Sequence, residues 1–257
     1  MGEIFVIASG KGGTGKSTVA ANIAAGLSGL DKKVCLVDAD LGLRNLDILL
    51  GLENDVVYTI MDVIEGRCSV TEALVSYKDD DRLFLMPSSQ IADKSSIQPE
   101  EMKALLTSLK DLFDYVIVDS PAGIELGFDY STAYADKAIL VTDPSKQSVR
   151  DVDKIKHLLH KKGISDQCII INRYRKDLVM AGYMMNERDI AELLGLNLLG
   201  VLPEDDGVIL SANQGKAPVS NEYQCGKAFA NVCRRIVGEN VPMLDISVKK
   251  GLFSKRK

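Results

Sequence analysis

The sequence lacks several features that would narrow its class at once. Its five cysteines, at positions 35, 68, 168, 225 and 233, are odd in number and include no C-x-x-C pair. That suggests neither a disulfide framework nor a zinc site, and leaves buried reduced thiols as the reading. No apolar run reaches the ~18 residues of a membrane-crossing helix. The N-terminus enters a strand with no signal peptide ahead of it, so the protein is expected to begin in the cytosol. Excess positive charge is missing too: 31 lysines and arginines against 36 aspartates and glutamates leave a formal net charge of -5. This argues against a body that holds nucleic acid through a general positive field, although a local basic patch is still allowed. Only two histidines occur, His157 and His160, spaced i, i+3 in a lysine-rich helical stretch without further ligands nearby. They read as solvated, not metal-bound. With 46% hydrophobic and 26% charged residues in 257, the composition suits one globular α/β domain with a sizeable core.

Against these absences stands one dense motif. Gly10-Lys11-Gly12-Gly13-Thr14-Gly15-Lys16-Ser17 fits the phosphate-cradle pattern G-x-x-x-x-G-K-[ST]. An apolar run, Ile4 to Ala8, precedes it, and Val19, Ala20, Ile23, Ala24 and Leu27 follow at the spacing of one buried helix face. The loop therefore joins a strand end to a helix N-terminus. Its glycines allow successive N–H groups to turn inward on an anion, and the helix dipole adds to that field. Lys16 would place a charge against the β- and γ-phosphates, and the Ser17 hydroxyl would coordinate Mg²⁺.

Downstream, residues 33–37 read as a buried strand ending at Asp38-Ala39-Asp40, two carboxylates at the edge where open α/β sheets bind ligands. Next to a triphosphate and Mg²⁺, one can serve the metal shell and the other can orient an attacking water. Residues 41–47 are expected to form a glycine-containing loop. Residues 58–64 and 71–77 read as two short helices broken by Gly66, residues 82–86 as a strand stopped by Pro87, and a helix starts at Pro99. Tyr115 to Asp119 is again a buried strand ending in a carboxylate, placed to reach the Mg²⁺ hydration shell, while Gly123 can offer its N–H to a γ-phosphate. Strands at 138–142, 169–172 and 198–202 then alternate with helices at 148–162, 186–194 and 226–237. Regular alternation predicts a doubly wound, largely parallel sheet with helices on both faces, a P-loop NTPase in a single domain.

These segments resemble the deviant Walker A (ParA/MinD) family of ATPases. Lys11 stands at the second position of KGGTGKS, where that family carries a signature lysine. DADLGLRNLD, DSPAGIE, SVRDVD at 148–153, LPED at 202–205 and the basic tail resemble its septum-site-determining branch, over nearly the whole chain. The resemblance implies that ATP is cradled by Gly10, Lys11, Gly12, Gly13, Thr14, Gly15, Lys16, Ser17 and Thr18. It places Mg²⁺ on Ser17, Asp38 and Asp119, and adenine beside Asn172, Arg173, Pro203, Glu204 and Asp205. It implies a slow Mg²⁺-dependent ATPase in which Lys11, Lys16 and Asp40 act. Lys11 would reach across an ATP-dependent homodimer to the partner's nucleotide, and Asp40 would orient the water. An ATPase domain over 1–245 would carry a basic tail over 246–257. The family's tail holds the protein to the inner face of the cell membrane when ATP is bound, here through residues 248–257 on an anionic surface. A division inhibitor would be recruited, a second partner would stimulate hydrolysis and release, and no specific nucleic acid is expected. A ParA-type partitioning ATPase and a flagellar-number regulator share the loop and both switches. The first should show a basic DNA-binding surface in place of the lipid-seeking tail, and the second usually has an N-terminal extension, missing here. An iron–sulfur carrier would need cysteines paired across a dimer or a C-x-x-C near the C-terminus, and neither spacing is present.

Overall fold

The computed structural model describes residues 2–42, 44–77, 80–93, 95–124 and 127–246. The apolar run ahead of the glycine-rich loop is strand β1 (Glu3–Ala8), and the loop passes into helix α1 (Lys16–Ser28), whose Val19, Ala20, Ile23, Ala24 and Leu27 are all buried. Strand β2 (Val34–Asp38) ends on the first acidic pair. Part of the expected loop after it closes into a short helix, α2 (Leu46–Leu50), because Leu46 and Leu50 lie one turn apart and both bury on the α1 side of the sheet.

Helices α3 (Ile60–Ile64) and α4 (Val70–Ala73) each start in a capping box, Thr59 with Asp62 and Ser69 with Glu72. The helix expected over 71–77 stops at Ala73. Val75–Tyr77 is instead strand β3, antiparallel to β4 (Asp80–Met86). Val75 and Tyr77 are buried on either side of exposed Ser76, the alternation of a strand. The Tyr77 hydroxyl donates to the Ala217 carbonyl at 3.2 Å, a partner 140 residues away that no local pattern announces.

Helix α5 (Pro99–Leu112) buries Met102, Leu105, Leu106 and Leu109 and leads into β5 (Tyr115–Asp119). Then come α6 (Phe128–Ser131), β6 (Lys137–Thr142), α7 (Lys146–Lys161) and β7 (Gln167–Tyr174). The chain continues through α8 (Lys176–Met180), α9 (Glu187–Leu194), β8 (Asn197–Pro203), α10 (Asp206–Asn213) and α11 (Gln224–Ile236). Helices α6, α8 and α10 have no counterpart in the sequence reading.

The strands form one sheet in the order β3-β4-β2-β5-β1-β6-β7-β8, parallel at every junction except β3 with β4. This is the doubly wound α/β architecture expected. Side chains alternate across it: along β1, Ile4, Val6 and Ala8 face the core under α5 and α7, while Phe5 and Ile7 face the core under α1 and α11. Strands β1, β2 and β5 end level, since Asp38 stands beside Asp119 and Ile7 beside Asp119 in register. Loop and carboxylates are thereby delivered to one edge. Among the described residues no helix is long and apolar enough to cross a membrane. Ile246 packs into the α5–α7 core, while the expected membrane segment, 248–257, lies outside the described residues.

Candidate active site

The glycine-rich loop turns sharply because Gly13 and Gly15 hold φ of 79° and 88°, a left-handed region closed to most side chains. A Cβ at Gly12 or Gly13 would meet nothing within 4 Å, so the concave side of the loop is open. On the other side there is no room. A Cβ at Gly10 would lie 2.5 Å from Asp151, and one at Gly15 would lie 2.3 Å from the Asn172 amide. That amide donates to the Thr14 carbonyl at 2.8 Å, bracing the loop from β7. The Thr14 hydroxyl is buried with no hydrogen-bond partner among the described residues. Helix α1 begins at Lys16 with no acidic residue in its first turn, leaving its N-terminal field uncancelled. Above the loop opens a cavity of about 580 Å³, lined among others by Lys11, Thr14, Lys16, Asp40, Asn45 and Arg173.

Four ionisable groups meet beneath that cavity. The Lys16 ammonium donates to Asp119 Oδ1 at 2.9 Å, with both side chains almost fully buried. Burial pushes the Asp119 carboxyl above the usual carboxylate range, and Lys16 and the Ser17 hydroxyl only partly offset it. Asp38 is pushed well above that range, first by burial and then by Asp119 beside it. The Asp40 N–H donates to Asp38 Oδ1 at 3.2 Å, and Ser88 Oγ donates to the Asp40 carbonyl at 3.2 Å. At the rim, Lys11 Nζ lies 2.9 Å from Asp143 Oδ2. Burial works against the Asp143 carboxylate, but hydrogen bonds from Ser145 and Lys11 hold it below the ordinary value.

Two carboxylates side by side, together with the Ser17 hydroxyl, offer hard oxygen donors suited to Mg²⁺. Among the described residues no three His, Cys, Asp or Glu side chains cluster closely enough to hold a metal unaided. That is the pattern of an ion whose shell is completed by substrate phosphates and water. The open cradle, the unpartnered Thr14 hydroxyl and this donor set fit a nucleotide with Mg²⁺.

Lys11, Lys16, Ser17, Asp38, Asp40 and Asp119 are brought together at this edge. Arg173 lines the cavity with φ of 54°, while Asn172 is engaged with the loop backbone. Pro203, Glu204 and Asp205 stand outside the lining. Asp205 accepts from the N–H groups of Gly207, Gln224 and Cys225, tying α10 to α11, and Glu204 lies 3.5 Å from Arg175. The Gly123 N–H, read as an offer to a γ-phosphate, donates to the Ser9 carbonyl at 3.0 Å. Asp143 and Tyr130 escaped the sequence reading, since neither belongs to a motif and both reach the site only through the sheet.

A family model described as "ParA: NUBPL iron-transfer P-loop NTPase" matches residues 1–237. The septum site-determining protein MinD of Thermotoga maritima is 46% identical over 98% of this chain and 95% of its own length. The chain belongs to the ParA/MinD family of P-loop NTPases. Among solved members, the Aquifex aeolicus MinC:MinD cell division protein complex superposes with a TM-score of 0.89 at 38% identity, covering 95% of this chain and 100% of that one. The Pyrococcus horikoshii septum site-determining protein MinD complexed with Mg-ADP gives 0.82 at 29% identity, covering 92% of this chain and 96% of that one.

Proposed function

We propose that this protein is a septum-positioning ATPase that dimerises on ATP, holds to anionic membrane while dimeric, recruits a division inhibitor, and leaves the membrane when a partner stimulates hydrolysis. The observation that carries the reading is that Lys11, Lys16 and Asp40 line one cavity, with Asp119 bonded to Lys16 and Asp38 bonded to the Asp40 N–H just behind it. The similarity to MinD, and to a MinD solved with its MinC partner, supports the choice of process and partner. In this reading the loop N–H groups and Lys16 hold the β- and γ-phosphates. Lys16 exchanges Asp119 for phosphate as they arrive, and Asp40 orients the attacking water. Bound Mg²⁺, carried by Ser17, Asp38 and Asp119, would neutralise charge developing on the phosphates. Asn172, Arg173, Pro203, Glu204 and Asp205 are the residues this reading assigns to adenine. Turnover is slow alone because the reading assigns no arginine in cis to the transferring phosphate.

The basic residues at 249, 250 and 255–257, with Leu252 and Phe253 among them, form the membrane contact. Near an anionic surface each basic residue contributes about 1 kcal/mol, and pairing two tails on one dimer multiplies the gain by ~10² or more. Co-sedimentation with anionic and with neutral vesicles, in ATP, ADP and no nucleotide, tests the whole scheme. The full chain should bind anionic vesicles in ATP alone, and a chain ending at Ser247 should not. Equal binding in ATP and ADP, or by both chains, refutes the nucleotide-switched tail, and retention of bulk DNA in ATP would favour a partitioning ATPase.

A further inference from the structure

Asp40 is held by an unusual amount of backbone bonding. The peptide unit joining Ala39 to Asp40 is clamped at both ends: its N–H donates to Asp38 Oδ1 at 3.2 Å, and its carbonyl accepts from the Tyr130 hydroxyl at 2.9 Å. The preceding Ala39 N–H donates to the Asp119 carbonyl at 3.1 Å, and the following carbonyl accepts from Ser88. Three of these partners belong to β2, β5 or the turn after β4. Tyr130 does not. It lies on α6, directly after the segment that leaves Asp119, and it is 3% exposed.

The same side chain is fitted to that segment. Gly127, at φ of 104°, begins α6, and a Cβ there would lie 2.9 Å from the Tyr130 hydroxyl oxygen and 2.7 Å from Pro121. Pro121 and Gly127 thus pack around the tyrosine hydroxyl where it reaches under the site. With the peptide plane before Asp40 held at its N–H and its carbonyl, and the Asp40 carbonyl held by Ser88, the backbone is anchored on both sides of the Asp40 Cα, which constrains its Cα–Cβ direction.

We propose that Tyr130 is a positioning residue for hydrolysis: its bond to the Ala39 carbonyl aims the Asp40 carboxylate and ties it to α6. Tyr130 touches no substrate. It acts through the peptide that carries Asp40, and its role rests on the reading of Asp40 as the water-orienting carboxylate.

Tyr130→Phe removes one hydroxyl and keeps the ring. In the full chain with ATP and Mg²⁺, kcat should fall on the order of 10-fold, since small misplacements of reacting groups are costly, while KM and the affinity for a fluorescent ATP analogue change less than about twofold. The melting temperature should move by no more than about 4 °C. Without nucleotide, amide exchange over residues 39–42 should accelerate, a readout independent of hydrolysis. A general loss of packing would instead lower affinity and melting temperature together. Gly127→Ala, which crowds the hydroxyl without removing it, should reproduce the kcat loss. Asp40→Ala in the same assays separates the two possible failures. Full hydrolysis by Asp40→Ala overturns the reading of Asp40 and this role with it. Full hydrolysis and unchanged exchange in Tyr130→Phe, beside an inactive Asp40→Ala, overturns the role of Tyr130 alone.

Discussion

Lys11 and Lys16 lie on one loop, and each sits 2.9 Å from an aspartate. Distance makes the two ion pairs equal, and burial makes them opposites. Lys16 and Asp119 are 7% and 2% exposed, whereas Lys11 and Asp143 are 35% and 21% exposed. In the inner pair little water competes, so losing one partner strands a charge at a cost of about 3–5 kcal/mol. Water and salt weaken the outer pair to about 0–1 kcal/mol. The inner lysine is part of the frame of the site. The outer one can leave its aspartate at small expense, as a lysine must if it is to cross to a second protomer.

The largest effect should come from the inner pair. Lys16→Ala is expected to weaken binding of a fluorescent ATP analogue by roughly 100-fold or more and to abolish hydrolysis. It should also lower the melting temperature, with a deficit that narrows on acidification. The sign follows from Asp119: its folded carboxyl already titrates high, so the stability it would allow is present below the unfolded value near 3.9 and is lost as pH rises through the folded one. Wild-type nucleotide affinity in this variant would break the distinction between frame and exchangeable lysine.

Lys11→Ala should leave the melting temperature within about 2–4 °C of wild type yet prevent the ATP-dependent dimer. A dimer seen by light scattering in ATP would show that the outer lysine has no partner to cross to. Next, Asp38→Asn removes a carboxylate held protonated-prone by burial and by Asp119. In the nucleotide-free chain it should raise the melting temperature at pH 7 by about 2–4 °C, and the gain should shrink on acidification and vanish below the unfolded value near 3.9, where Asp38 is protonated in both states. A gain independent of pH would point to packing instead of charge. The smallest effect belongs to Asp143→Asn, which frees Lys11. Dimerisation should then reach half-maximum at ATP concentrations lower by about 2–3-fold, and the difference from wild type should fade in high salt, which already loosens the exposed pair.

What the sequence made legible was whatever one segment decides alone. The cradle at 10–17, the carboxylates closing β2 and β5, and the buried faces of α1 and α5 are local patterns of glycine, charge and periodicity. The rest depended on distant partners. Thr71 to Tyr77 looks helical from its capping box onward, yet Tyr77 is drawn to the Ala217 backbone and the segment past Ala73 extends. The brace from the Asn172 amide to Thr14, 158 residues earlier in the chain, has no local signal. Asp143 and Tyr130 carry no motif, and only the sheet order brings them to Lys11 and Ala39.

That order sets a schedule for synthesis. Strand β1 emerges first and pairs with β5 and β6, which begin at Tyr115 and Lys137. At about 5–20 residues per second, a nascent chain spends on the order of 5–20 s holding a complete KGGTGKS loop with no neighbouring strands to shape it. Nucleotide cannot act as an early folding ligand under those conditions. The growing chain instead exposes the apolar β1 until the middle of the sheet is made, and a ribosome pause before residue 142 would lengthen the interval in which it is most exposed to aggregation and to chaperones.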